Sequence, residues 1–146
     1  MKILFAALAV STLSALPALA QKKPAPKAKP AATAPAAAIA AGKAVYTQTC
    51  LSCHQADGGG VDGMNPPLIK TSYVLGDKAR IVKVVLNGLQ GVDIDGEEYN
   101  NAMPSYDFLT DQQIADVLTY VRNSFGNKAA PISTAEVKAI RAANKK

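Results

Sequence analysis

Apolar side chains recur at helical spacing in the second half of the chain. In the segment 77–89, Ile81, Val84, Val85 and Leu89 stand at positions i, i+3, i+4 and i+8. This spacing predicts a helix with one apolar face, and Asp77 is suited to be its N-cap. Glycines at positions 88 and 91 indicate where the helix stops.

The segment 110–125 has the most sustained helical pattern. Its apolar face comprises Ile114, Val117, Leu118, Val121 and Phe125. Thr110 and Gln113 have the spacing of a capping box, and Gly126 or Asn127 can supply a left-handed stop. Ser133 and Glu136 repeat the capping pattern, so a further short helix is predicted there, either packed on the domain or frayed.

A first helix is predicted over residues 38–49. Gly42 and Tyr46 lie four positions apart and therefore on one face. A glycine inside a helix costs about 1 kcal/mol relative to alanine, so Gly42 indicates either a close approach by another element or a frayed helix start. Between the helices, the alternation in 92–99 around Asp95-Gly96 predicts a short β-hairpin.

The five residues after the first helix carry the most specific chemistry. Cys50-Leu51-Ser52-Cys53-His54 is a C-x-x-C-H motif that contains every cysteine and histidine of the sequence. This spacing is typical of c-type haem attachment, in which the thiols of Cys50 and Cys53 add to the haem and His54 ligates the iron.

Other readings of the motif are weaker. A zinc site needs three or four well-spread ligands, and a redox dithiol is expected beside a strand–helix–strand pattern that is absent here. A disulfide across two intervening residues would restrict the unfolded chain little. The glycine run 58–60 is followed by neither a lysine nor a helix pattern, which excludes a phosphate-binding loop.

The N-terminal segments predict export. Residues 1–20 combine a basic start, a short apolar run and an A-x-A site at Ala18-Leu19-Ala20, which is typical of a cleavable signal peptide and a periplasmic protein. An uncleaved anchor is the alternative. Residues 21–37, rich in Ala, Pro and Lys, are expected to form a disordered linker. The foldable domain is placed at 38–128, and 129–146 is a basic extension with a short helix.

The net charge of +5 is unevenly distributed. Residues 40–128 contain ten acidic and seven basic side chains, so the central part is acidic and the basic residues lie in the two flanking segments. The high isoelectric point therefore does not indicate a nucleic-acid-binding protein. The flanking segments either contact an anionic membrane surface or an acidic partner, or only increase solubility.

A single histidine leaves the second axial position of a haem to another residue or open. Met64 and Met103 are the candidates, since Met1 belongs to the signal segment. Met103 is favoured because it lies 49 residues beyond His54, which leaves enough chain to pass around the porphyrin, and because Pro104 fixes its backbone. Either methionine can instead be core packing.

Residues 40–127 resemble a class I c-type cytochrome. The resemblance rests on the C-x-x-C-H motif, Gly42 and Tyr46, and three further segments: Asn65-Pro66-Pro67-Leu68, Asn101-Ala102-Met103-Pro104-Ser105-Tyr106, and the helix ending in Tyr120-Val121-Arg122. It implies an all-α, haem-wrapped fold of about four helices, with a short β-hairpin before the methionine ligand.

The resemblance also implies roles. Cys50 and Cys53 are expected to anchor one haem c, with His54 and Met103 as axial ligands. Pro66 or Pro67 is expected to offer a carbonyl to the other ring nitrogen of His54. Tyr99, Tyr106 and Phe108 either line the haem pocket or pack in the core.

The implied function is one-electron transfer in the periplasm. The expected partners are a dehydrogenase, a quinol-oxidising complex or a terminal oxidase, and the chain is expected to be a monomer or a loosely bound subunit. Membrane contact is expected to be at most peripheral. A haem enzyme with a labile sixth ligand is the alternative, although the sequence offers no second histidine for acid–base work.

Overall fold

The computed structural model describes residues 33–145. This part of the chain is mainly helical, with one two-stranded antiparallel sheet. Its elements in chain order are α1 (Ala36–Thr49), α2 (Leu51–His54), α3 (Ser72–Leu75), α4 (Lys78–Asn87), β1 (Asp93–Ile94), β2 (Glu97–Glu98), α5 (Asp111–Asn123) and α6 (Thr134–Ala143). The predicted all-α fold with a hairpin before Met103 is confirmed. None of the helices in residues 33–145 has the length and apolar character needed to cross a membrane.

The predicted signal segment and most of the predicted linker lie outside the described residues. Helix α1 begins at Ala36, two residues before the predicted start and inside the segment assigned to the linker. Pro35 is its N-cap and has an extended backbone. A proline is compatible with this position because the first N–H groups of a helix have no partner within the helix.

Helices α1 and α5 cross in close contact at Gly42. A Cβ atom at this position would lie 2.6 Å from the backbone carbon of Asp116 and 2.7 Å from Cβ of Tyr120. One turn further along α1, the buried Tyr46 packs against Tyr120 and Phe125, with ring centroids 5.4 and 5.5 Å apart. The prediction that Gly42 marks a close approach is confirmed.

Helix α4 starts as predicted, with the Asp77 carboxylate accepting a hydrogen bond from the backbone N–H of Arg80. It ends at Asn87 because Gly88 adopts a φ of +78°, so the prediction that Leu89 belongs to the helix was wrong. Leu89 instead pairs with Met103 as an isolated antiparallel bridge. The apolar pattern nevertheless predicted correctly that Leu89 faces the interior, because Leu89 lines the same internal space as Ile81 and Val85.

Helix α5 has the predicted capping box between Thr110 and Gln113. It ends at Asn123 rather than at Phe125, and the left-handed residues that follow are Phe125 and Gly126, with φ of +57° and +77°. The aromatic packing of Phe125 on Tyr46 explains this ending, because the chain must turn back to bring the ring over α1.

Helix α6 packs on α4 and α5 instead of extending into solvent. Val137 is fully buried, and the capping box of Ser133 and Glu136 is present. Arg141 donates hydrogen bonds to the Asp111 carboxylate at 2.6 Å and to the Leu109 carbonyl at 2.6 Å. This basic residue of the C-terminal extension is therefore engaged within the fold.

Candidate cofactor site

An apolar cleft lies between α2, the segment that follows it, and helices α4 and α5. It contains about 750 Å³ of empty space, part of it open to solvent. Most of its lining is aliphatic and comes from the apolar faces predicted for α4 and α5, including Ile81, Val84, Val85, Val117, Leu118 and Val121. The apolar faces of α4 and α5 thus pack in the core and also line the cleft.

The two cysteines lie at one edge of this cleft. Cys50 is half-buried and lines the cleft, while Cys53 is exposed and lines an adjoining smaller cavity. Both carry free thiols. Burial raises the pKa of the Cys50 thiol, and a hydrogen bond with the Thr49 hydroxyl only partly opposes this effect. A redox dithiol instead depends on a lowered thiol pKa, so Cys50 does not have the character of that class.

His54 is 8% exposed, and its ring borders the cleft. Its Nδ1 lies 3.0 Å from the carbonyl oxygen of Pro66. A carbonyl only accepts hydrogen bonds, so Nδ1 carries the proton and Nε2 keeps its lone pair for a metal. Burial lowers the pKa of His54 while the Pro66 bond opposes this, so the imidazole is neutral at pH 7. Of the two prolines considered from the sequence, the structure brings Pro66 to the histidine.

The segment that carries Pro66, here called the proline loop (residues 58–70), is fixed by backbone contacts. The N–H of Leu68 donates to the Gly58 carbonyl at 2.7 Å, and Val61 pairs with Asn65 as an isolated bridge. A Cβ atom at Gly60 would lie 2.7 Å from the Pro66 oxygen. Gly60 also has a φ of +69°. Only glycine leaves room for the loop to place Pro66 against His54.

Met103 also lines the cleft, and it belongs to the methionine loop (residues 99–106). Its backbone is fixed by two hydrogen bonds to Leu89, with N–H to carbonyl distances of 2.8 and 3.0 Å. A Cβ atom at Gly88 would lie 2.5 Å from the Met103 oxygen. The glycine after α4 therefore allows the methionine loop to approach the helix end closely.

Met64 lies elsewhere. Its side chain is 47% exposed, and its main-chain carbonyl accepts a hydrogen bond from the N–H of Asn101 at 3.1 Å. Met64 thus joins the proline loop to the methionine loop at the surface, whereas Met103 is placed in the cleft beside His54.

The aromatic residues predicted near the pocket have different locations. Tyr106 lines the cleft, and its hydroxyl donates to the Thr49 carbonyl at 2.8 Å. Tyr99 lines a smaller cavity that it shares with Pro66 and Met103. Phe108 is 71% exposed, so the prediction that it lines the pocket or packs in the core was wrong. Its ring lies beside that of Tyr106, with centroids 5.8 Å apart.

The donor set fits an iron porphyrin. An aliphatic cleft accepts a flat apolar ring, an imidazole lone pair and a thioether are both groups that can ligate iron, and two thiols lie at the edge of the cleft. The sequence reasoning did not identify Gly58 or Gly60 as parts of this site. Their signal was available, because glycines next to a double proline indicate a close backbone approach.

Comparison with known proteins gives the same assignment. The family model for cytochrome c matches residues 39–125. The chain is 36% identical to cytochrome c-552 of Thermus thermophilus over 117 residues, covering 73% of this chain and 78% of that protein. It is 37% identical to the fructose dehydrogenase cytochrome subunit of Gluconobacter japonicus, covering 71% of this chain but only 22% of that subunit.

A further relative is the cbb3-type cytochrome c oxidase subunit CcoP of Azospirillum sp. It is 38% identical over 103 residues, which cover 65% of this chain and 31% of that subunit. The family match spans more than half of the chain, and the Thermus protein is matched over most of its own length. The chain therefore belongs to the cytochrome c family, as a class I c-type cytochrome that carries electrons and is not itself an enzyme.

Proposed function

We propose that this protein is a periplasmic one-electron carrier with a single haem c, held by Cys50 and Cys53 and ligated by His54 and Met103. The observation that carries the proposal is the placement of His54 and Met103 on one apolar cleft, with the cysteines at its edge. When bound, the haem supplies an iron that alternates between the ferric and ferrous states.

The chain's own residues set the properties of that iron. His54 presents Nε2 to the cleft, and the hydrogen bond from Nδ1 to the Pro66 carbonyl orients the ring and increases its basicity. The thioether of Met103 favours the ferrous state and thereby raises the reduction potential. The aliphatic walls provide a surrounding of low polarity, which would stabilise the less charged form of the site.

An enzyme with an open iron site would need Met103 to stay away from the iron. Two backbone hydrogen bonds to Leu89 instead hold the Met103 backbone at the cleft. The sequence also contains only one histidine, so it offers no second imidazole for acid–base chemistry at an open site. Both features support electron transfer as the function.

The proposed location and partners rest on the sequence and on the relatives. The A-x-A site in the first 20 residues supports export. The relatives include cytochrome subunits of a fructose dehydrogenase and of a cbb3-type oxidase. We therefore expect the partner to be a dehydrogenase, a quinol-oxidising complex or a terminal oxidase. We expect the chain to be a monomer or a loosely bound subunit of such a complex.

The test is expression of the full chain in bacteria that attach haem to exported proteins, next to a variant that lacks residues 1–20. The exported protein is expected to keep its haem on a denaturing gel, and its ferric spectrum at neutral pH should be low-spin. The variant retained in the cytoplasm should carry no covalent haem. A haem-free exported protein, or a high-spin ferric spectrum, would contradict the proposal.

A further inference from the structure

Asn127 is a buried polar residue that the electron-transfer role does not by itself explain. Its side chain lies just after α5 and is 4% exposed. Its Oδ1 accepts a hydrogen bond from the Lys70 N–H at 2.8 Å, and its Nδ2 donates to the carbonyls of Leu68 and Val121, each at 2.8 Å. Both amide hydrogens are therefore used, and two of the three bonds go to the proline loop.

The amide orientation follows from these partners. A rotated amide would place its oxygen against the two carbonyl oxygens and its NH₂ group against the Lys70 N–H, so all three bonds would be lost. No residue other than asparagine offers one acceptor and two donors on so short a side chain. The site is therefore specific for Asn.

The contact also holds an unfavourable backbone conformation. Lys70 has a φ of +55°, in the left-handed region that a lysine rarely adopts. Such a conformation persists only when the surroundings enforce it. The hydrogen bond from the Lys70 N–H to Asn127 helps to enforce it, and it fixes the end of the proline loop.

The contact of Asn127 with Leu68 also constrains the histidine, because the stiff segment Pro66-Pro67 lies between them. Leu68 is held at its N–H by the Gly58 carbonyl and at its own carbonyl by Asn127. Pro67 and Pro66 precede it, and their rings restrict φ, so a shift of Leu68 is passed on to Pro66 rather than absorbed. The Pro66 carbonyl is the acceptor for Nδ1 of His54.

We infer that Asn127 is a positioning residue, which holds the proline loop so that the Pro66 carbonyl stays on the ring N–H of His54 and sets the donor strength of that imidazole. The inference rests on the proposed role of His54 as an iron ligand. It goes beyond that role because it gives a residue outside the cleft control over the reduction potential.

The test compares Asn127→Ala with Asn123→Ala in the haem-loaded full chain. Asn123 is a suitable control because its Nδ2 donates to the Thr119 carbonyl of its own helix, at 3.0 Å, and not to the proline loop. Both changes remove an amide near the end of α5, and neither introduces a charge. The readouts are the reduction potential and the rate at which the His54 Nδ1 proton exchanges with solvent, followed by NMR in the ferrous protein.

Asn127→Ala is expected to raise the reduction potential. An imidazole whose Nδ1–H makes a weaker hydrogen bond donates less electron density to the iron and therefore stabilises the ferric state less. The Nδ1 proton should exchange about tenfold faster, as expected when a buried hydrogen bond is weakened. Asn123→Ala should leave both quantities at their wild-type values. Wild-type potential and exchange in Asn127→Ala would overturn the inference, even if that variant were less stable.

If Asn127→Ala does not accumulate as a haem protein, Asn127→Ser takes its place, since its hydroxyl keeps one donor. Its potential and exchange rate should shift in the same direction by a smaller amount, and wild-type values would overturn the inference. The wild-type spectrum separates the two proposals. A high-spin wild type contradicts the proposed function, whereas a low-spin wild type with unshifted variants contradicts only the positioning role of Asn127.

Discussion

On one wall of the cleft, His54 is held through its side chain, whose Nδ1 meets the Pro66 carbonyl at 3.0 Å. On the other wall, Met103 is held through its backbone, by two hydrogen bonds to Leu89. The proline loop is further tied to Gly58 and Asn127, whereas the methionine loop rests on the end of α4 at Gly88. The histidine wall (His54 and the proline loop) is therefore tied to the chain beyond α5, and the methionine wall (the methionine loop) is docked on the end of α4.

This difference suggests that the two ligands respond to different perturbations. Changes that loosen the domain should affect the orientation of His54, because the proline loop that holds its ring is itself bound to distant segments. Changes at the methionine wall should act locally and release the sulfur while the domain stays folded. Gly60 is crowded and Gly63 is open on the histidine side, and Gly88 is crowded and Gly91 is open on the methionine side, which allows matched tests.

The largest effect is expected at the proline loop, for Gly60→Ala. The new Cβ would meet the backbone of Asn65 and Pro66, and the residue has a φ of +69°. Overpacking and backbone strain together should lower the free energy of unfolding by about 3 kcal/mol. Guanidinium unfolding of the haem-loaded protein measures it.

Gly63→Ala is the control on the same wall. Gly63 also has a positive φ, of +63°, but a Cβ atom there meets nothing within 4 Å. Only the backbone strain remains, so a loss of about 1 kcal/mol is expected. Equal losses for the two variants would contradict the close contact between Gly60 and the Pro66 carbonyl.

At the methionine wall, Gly88→Ala is expected to have a smaller effect on stability, a loss of about 2 kcal/mol, because the surface loop can relax. The Cβ atom would push on the Met103 carbonyl, 2.5 Å away. The charge-transfer absorption of a methionine sulfur on ferric iron should then disappear at a lower temperature than unfolding. Gly91→Ala, with φ of +65° and open space, should retain the band, and loss of the band in both variants would count against a specific contact.

The two tyrosine hydroxyls allow a finer comparison. Burial raises the pKa of Tyr46 strongly, so its hydroxyl stays neutral and donates to the Gln55 carbonyl at 2.6 Å, directly after His54. Tyr46→Phe should lower the free energy of unfolding by about 1 kcal/mol. Tyr106→Phe removes the bond to Thr49 from a half-buried ring and should cost about 0.5 kcal/mol. Thermal unfolding measures both, and the reverse order would contradict the greater rigidity of the histidine wall.

The smallest effect is expected far from both walls, at the contact between α6 and α4. Burial raises the pKa of Glu136, but hydrogen bonds from Lys78 and Ser133 outweigh it and hold the pKa below its usual value. The Lys78 and Glu136 side chains are 30% and 41% exposed, so their ion pair is weak.

A lowered carboxyl pKa gives stability that is present above the unfolded pKa of about 4.3 and is lost as the pH falls through the folded value. In Glu136→Gln, the free energy of unfolding should therefore fall slightly less steeply as the pH is lowered. Thermal unfolding between about pH 3 and pH 7, the range over which carboxylates titrate, measures this effect. An unchanged acid slope would show that Glu136 contributes nothing there.

Much of this architecture was predictable because its signals are local. The capping boxes at Thr110 and Ser133 and the turn at Asp95-Gly96 depend on residues within four positions of one another. The apolar faces of α4 and α5 follow from their spacing in the same way. The C-x-x-C-H motif identifies the chemistry because three reactive groups fall within five residues.

What could not be predicted depends on partners distant in sequence. Arg122 is buried because its guanidinium reaches the Val74 carbonyl, at 2.6 Å and 48 positions away in the chain. Asn127 bonds the proline loop over a similar separation. The pairing of Leu89 with Met103 and the exposure of Phe108 also follow from how the methionine loop docks, which spacing alone does not encode.

The most direct test of the proposed axial ligands is the reduction potential of Met103→Ala against that of Met64→Ala. The two changes remove the same side chain, one from the cleft and one from the surface. We predict that Met103→Ala keeps its covalent haem, loses the methionine charge-transfer band and has a lower potential, because the thioether that favours ferrous iron is gone. Met64→Ala should keep the wild-type potential. An unchanged potential in Met103→Ala, with a lowered one in Met64→Ala, would contradict the assignment.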